Sequence, residues 1–66
     1  GWIDIEFTVT ATGITRSIDV TGEQSPGWFD RAAIEAVEQW QFQPELRNGQ
    51  PVERRAKVRL QFTREQ

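Results

Sequence analysis

Acid–base chemistry in this 66-residue chain would have to come from carboxylates, because it contains neither histidine nor cysteine. Glu35 and Glu38 stand three residues apart, so a helix would set them side by side on one face. A general acid and its base also need a recess that holds substrate and drives their pKa values apart, and this pair sits in a stretch that reads as solvated surface. Ser17 and Ser25 have no evident base to activate a hydroxyl, and no glycine-rich phosphate loop precedes a helix. The usual ligands of a structural zinc site are missing as well. The reading is of a protein that is no enzyme, with no metal and no cofactor.

The other available chemistry is charge. Residues 1–45 carry eight acids and two arginines, whereas residues 46–66 carry six basic residues and two acids, within a net charge of −2. Such a basic stretch can meet nucleic acid, an acidic peptide or the acidic half of its own fold. Sheets that bind RNA place aromatic side chains among their basic residues on the open face. Around Arg54, Arg55, Lys57 and Arg59 that face offers Thr8, Thr10 and Gln61, so a sheet-based nucleic-acid-binding module is the weaker reading and no nucleic-acid partner is expected.

These residues need elements to position them. From Trp2 to Thr10 the chain alternates, with Ile3, Ile5, Phe7 and Val9 on one face and Asp4, Glu6, Thr8 and Thr10 on the other, the period of a half-buried strand. Ala11-Thr12-Gly13 supplies a turn, and Ile14 to Val20 returns with Ile18 and Val20 inward; a bulge after the turn would let either Ile14 or Thr15 take the first core position. Thr21 to Gly27 reads as a connection, in which Ser25 and Pro26 mark the approach to a helix. From Trp28 or Phe29 to Trp40 an apolar stripe of Phe29, Ala33, Ala36, Val37 and Trp40 runs at helical spacing, with Asp30, Arg31, Glu35, Glu38 and Gln39 pointing away and Ile34 on the flank. Pro44 ends that helix through its effect on Gln43. Asn48-Gly49 is a tight-turn dipeptide, and an apolar alternation of Ala56, Val58, Leu60 and Phe62 runs through a long strand from Val52 to about Thr63.

A chain this short buries only about 60% of its unfolded surface, so packing without disulfides must hold one shared core. The expected fold is α+β, with element order β-β-α-β and a short hairpin possible before the last strand. A right-handed crossover leaves one slot for the first strand between its neighbours. The antiparallel three-stranded sheet then has the order 2-1-3, and one helix covers Ile3, Ile5, Phe7, Val58, Leu60 and Phe62. Asp4 and Glu6 fall across from the basic side chains of the last strand. The outer edge of that strand stays unpaired, and an open edge can accept a peptide as an added strand.

Trp40, Phe42 and Phe29 read as structural core rather than a ligand-stacking cluster. Trp2, on the polar face of its strand, and Trp28, just ahead of the helical stripe, are possible aromatic contacts for a partner.

Gly1-x-Ile3-x-Ile5-x-Phe7, then Gly13 with Ile18 and Val20, then Phe29-Asp30-x-Ala32-Ala33-Ile34-x-Ala36-Val37-x-x-Trp40-x-Phe42-x-Pro44, resembles the pattern of the TonB C-terminal family. Asn48-Gly49-x-Pro51-Val52 and the alternation ending at Phe62 extend the resemblance over nearly the whole chain, with Trp-x-Phe-x-Pro its most specific part. Thr15 stands where the family commonly has valine, and the short Tyr-Pro helical segment that usually precedes the glycine is absent. The resemblance implies a single domain over residues 1–66, cut from a longer protein anchored in the inner membrane. It implies a periplasmic docking domain of an energy transducer, which binds the N-terminal peptide of an outer-membrane transporter by strand addition and transmits force for energised uptake. Motor-complex proteins would be engaged through the absent N-terminal region. A homodimer, or a structural role in fusion with another periplasmic protein, stays open because related domains can exchange strands. The expected partner-binding edge is Arg55, Lys57, Val58, Arg59, Leu60 and Gln61, with Arg55, Lys57 and Arg59 steering an acidic or polar segment.

Overall fold

A computed structural model describes residues 1–62 except 25, 26 and 28. Ser25 and Pro26, Trp28 and its partner role, and the end of the last strand at Thr63 therefore lie outside the described residues.

The N-terminal alternation folds as β1 (Trp2–Val9), whose Ile3, Ile5, Phe7 and Val9 are all buried. β2 (Thr15–Glu23) returns antiparallel to it. This strand runs three residues beyond the expected end at Val20, because two bulges keep it in the ladder. Glu6 pairs with Asp19 and Thr8 with Arg16, so Phe7 alone faces both Ser17 and Ile18, and Ser17 takes a φ of 53° to absorb the extra residue. Asp4 pairs with Gly22 and Ile5 with Val20, which leaves Thr21 as a second extra residue. The first bulge decides the open choice after the turn: Ile14 is 45% exposed, and Thr15 is the half-buried residue, its hydroxyl donating to the Val37 carbonyl at 2.8 Å. That bond gives a second donor to a carbonyl in the last turn of the helix, which also accepts the Trp40 N–H.

Thr10 is buried, not part of the open polar face as the alternation suggests. Its Oγ1 accepts the N–H groups of Thr12 and Ile14, both at 3.3 Å, and so closes the turn.

The helix, α1 (Asp30–Glu38), is shorter than the apolar stripe. The N–H groups of Gln39 and Trp40 bond to the carbonyls of Ala36 and Val37, a tightening of the last turn that ends the α-helix before Trp40. Only Ala33 and Val37 are buried on it; Ala36 is exposed, while Asp30 and Ile34 are half-buried. The buried face is thus rotated toward Asp30 and Ile34 relative to the expected stripe. At 100° per residue, Asp30, Ala33, Ile34 and Val37 cluster on one side and Ala36 falls outside it.

β3 (Glu45–Arg47) and β4 (Gln50–Val52) make the short hairpin through Asn48 and Gly49, whose φ values of 53° and 79° suit a two-residue turn that follows strand twist. Glu53 separates it from β5 (Arg54–Gln61), so the long last strand of the sequence reading is two elements. The main sheet has the order β2-β1-β5, antiparallel throughout, and the hairpin forms a separate two-stranded sheet. The backbone of α1 approaches β2 most closely, so Ala56, Val58 and Leu60 on β5 pack against the core yet stay half-buried. Of the side chains expected under the helix, Ile3, Ile5 and Phe7 are buried, and Val58, Leu60 and Phe62 pack against the core while staying half-buried.

Three aromatic rings close the core at one end. Phe7 meets Trp40 edge to face at 6.1 Å and stacks on Phe42 at 5.7 Å. Trp40 and Phe42 are half-buried against the core, whereas Phe29 stacks on Phe62 at 4.4 Å.

Candidate docking edge

The two edges of the sheet differ. β2 is kinked by its bulges, which is one way of blunting an edge. β5 pairs with β1 without a break, from Trp2 opposite Gln61 to Val9 opposite Arg54. Which backbone groups of β5 are free follows from the pair just beyond: Gly1 and Phe62 exchange both bonds, the Phe62 N–H to the Gly1 carbonyl at 2.7 Å and the Gly1 ammonium to the Phe62 carbonyl at 2.8 Å. Antiparallel pairs alternate between those that exchange bonds and those that do not. Leu60, Val58, Ala56 and Arg54 therefore spend their backbone groups on β1. The N–H and C=O groups of Arg55, Lys57, Arg59 and Gln61 point out from the sheet edge.

Side chains follow the opposite logic. Ala56, Val58 and Leu60 are half-buried on the helix side, and Arg55, Lys57, Arg59 and Gln61 are exposed on the polar face. Two of these cations are already engaged. Arg59 donates to Asp4 side-on, from Nε to Oδ1 at 2.7 Å and from Nη2 to Oδ2 at 3.0 Å, and lies 4.1 Å from the centroid of the Trp2 ring. That hydrogen bond to Arg59 holds the Asp4 carboxyl below its usual range against the opposing effect of burial, and it raises Arg59 in turn. Arg55 reaches over the central strand: it donates to Thr8 Oγ1 at 3.1 Å, to the Ser17 carbonyl at 2.6 Å and to Asp19 Oδ2 at 2.8 Å, and lies 4.0 Å from Glu6. It ties β5 to the bulge in β2. Among the described residues Lys57 makes no ion pair, although it sits opposite Glu6.

The expected edge residues are thus brought together along one strand, but they divide into two kinds. Arg55 and Arg59 offer backbone to the edge and side chain to the sheet. Lys57 offers both. Trp2 is half-buried on the polar face, capped by Arg59 and passing close over Gly22. The engagement of Arg55 by the bulge could not be read from alternation, since it depends on the extra residue in β2. No group of three or more acidic, histidine or cysteine side chains with metal-binding geometry occurs among the described residues. No helix there is long and apolar enough to cross a membrane.

One family's sequence model, described as Gram-negative bacterial TonB protein C-terminal, matches residues 1–63. No curated protein matches the chain.

Proposed function

As the chain belongs to the Gram-negative bacterial TonB C-terminal family, we propose that it docks an outer-membrane transporter by adding the transporter's N-terminal peptide as a fourth strand beside β5. Domains of this family are periplasmic and interact with outer-membrane transporters. The finer steps belong to the proposal: the peptide pairs along β5, the domain passes on force from a motor complex reached through an N-terminal region, and that region anchors it in the inner membrane.

The observation that carries the reading is the unbroken β5 edge, with the backbone groups of Arg55, Lys57, Arg59 and Gln61 directed outward. Strand addition draws its affinity from main-chain bonds and its selectivity from alternate side chains. A strand laid here would set every second side chain beside Ala56, Val58 and Leu60 and extend the half-buried apolar face. The intervening ones would lie beside Arg55, Lys57 and Arg59, where Lys57 favours an acidic neighbour. With Arg59 on Asp4 and Arg55 on Asp19, the basic stretch serves first to knit the sheet, which also weakens the nucleic-acid alternative. Titrating a transporter peptide into the labelled domain while following backbone amide shifts tests the proposal. Shifts centred on β5 are expected; shifts centred on α1 would refute it.

A further inference from the structure

β4 and β5 have different partners, yet Glu53 alone stands between them. Pro51 shows which way the β4 backbone faces. It has no N–H, so the pair it makes with Leu46 is not one that exchanges both bonds. The pairs on either side, Gln50 with Arg47 and Val52 with Glu45, are therefore the bonded ones. Gln50 and Val52 bond β3 just as Arg54, Ala56, Val58 and Leu60 bond β1. Burial alternates without a break from Pro51 to Phe62, exposed at each odd position and half-buried at each even one, so no extra residue shifts the pattern at Glu53. β3 and β1 thus lie on the same side of this stretch, and its other side is one edge. The outward N–H groups run from Glu53 through Arg55, Lys57 and Arg59 to Gln61. The row ends at Pro51, which has none.

On the polar face the charges along this edge are Glu53, Arg55, Lys57 and Arg59, all exposed. Arg55 is drawn inward to Ser17 and Asp19, and Arg59 is clamped on Asp4. Glu53 and Lys57 make no ion pair among the described residues. At the rise of a strand, four residues set them about 13 Å apart. That exceeds the screening length of about 8 Å at physiological salt, so neither neutralises the other.

We propose that the docking edge continues past β5 to Pro51, and that Glu53 and Lys57 select the strand added there: an extended segment with a basic side chain beside Glu53 and, four residues away on the same face, an acidic one beside Lys57. This rests on docking at the β5 edge and adds the length of the edge and the charges of its occupant. Opposite charges side by side across a ladder attract and like charges repel. The order of acid and base therefore decides how the segment lies: antiparallel to β5 with the acid first, parallel with the base first. A second copy of the same edge fits less well, because the antiparallel pairing that sets each Glu53 beside the other's Lys57 also sets Arg55 against Arg55.

The probes are synthetic peptides of about ten residues in which valine and threonine alternate as a strand requires. One carries aspartate and lysine four residues apart, on one face; the other carries the same charges three residues apart, on opposite faces. Calorimetry should give the first a Kd about fivefold lower, with the gap closing as salt is added. In amide exchange Glu53 should slow together with Arg55, Lys57, Arg59 and Gln61. Glu53→Lys should weaken the first peptide about fivefold and favour one with aspartate at both sites. Protection of the β5 amides without Glu53, or equal Kd values for the two spacings, would overturn this inference and leave docking at β5 standing. Absence of protection at all five amides would overturn it too, and whether docking falls with it is read from a transporter peptide. Protection of Glu53 that grows with domain concentration in the absence of peptide would make a second copy the occupant and the inference wrong.

Discussion

Arg59 clamps Asp4 across the β1–β5 ladder through two hydrogen bonds of 2.7 and 3.0 Å, with its guanidinium lying over Trp2. The arrangement couples the central strand to the edge strand through side chains as well as through the ladder, and it fixes the direction in which acid should act. Asp4 has a depressed pKa in the fold, so its contribution to stability is present above its ordinary value of 3.8 and is lost as pH falls below it. Urea midpoints measured across the acid range should drop on that limb, and Asp4→Asn should flatten the drop while lowering the midpoint at neutral pH. An acid limb unchanged by the substitution would remove Asp4 as its source.

Gly13 is the position least able to accept a side chain. Its φ is 87°, and an added Cβ would lie 2.1 Å from the Phe42 carbonyl oxygen, where the Phe42 N–H already bonds the Gly13 carbonyl. Gly13→Ala should cost more than about 3 kcal/mol, since backbone strain and displacement of the 41–42 segment add. Gly49→Ala has a similar φ but open space, and should cost about 1 kcal/mol. Equal losses in chemical denaturation would contradict this difference.

Trp40 packs on Phe7 and Phe42, whereas Leu46 is 63% exposed on the β3–β4 hairpin. Trp40→Ala should destabilise by about 3 kcal/mol, the lower end for a large aromatic because the ring is half-buried. Leu46→Ala should stay within about 0.5 kcal/mol. Thermal unfolding of the two variants checks the contrast, and a Trp40 variant as stable as the parent would refute the packing role.

Lys57 should act on binding and Arg55 on stability. Lys57→Glu should raise the Kd for an acidic peptide by about fivefold, about 1 kcal/mol, with the effect shrinking as salt is added. Its unfolding midpoint should fall only slightly, by the repulsion between the new carboxylate and Glu6 across the ladder, and less than that of the Arg55 variant. Arg55→Ala should lower that midpoint, because it removes the tie from β5 to Ser17 and Asp19. Calorimetric binding and urea unfolding on both variants separate the roles; a Lys57 variant that binds normally at low salt would exclude its part.

Much of this fold could be read from side-chain period. The strict alternation of β1 gave its buried face, Asn48-Gly49 gave the hairpin turn, and chain connectivity gave the sheet order. What alternation cannot carry is an extra residue. Ser17 falls inside a run that looks regular and Thr21 in what reads as a connection; both are extra residues of a lengthened β2, and Ser17 gives Arg55 an inward partner. The rotation of α1 was hidden for a related reason: Ala36 is apolar enough to join the stripe, and Asp30 charged enough to be left off it, yet Asp30 is half-buried and Ala36 exposed. The edge strand was legible as an edge. Which of its cations were free was not, because that depends on acids brought from β1 and β2.

The most direct test of docking is amide hydrogen exchange on the domain alone and saturated with a transporter peptide. In the free domain the amides of Ala56, Val58 and Leu60 should already be protected by β1, while those of Arg55, Lys57, Arg59 and Gln61 exchange fast. On binding, these four outward amides should slow together. If they keep their free rates at saturation, or if new protection appears on β2 or α1 instead, the peptide does not add to β5 and the account fails.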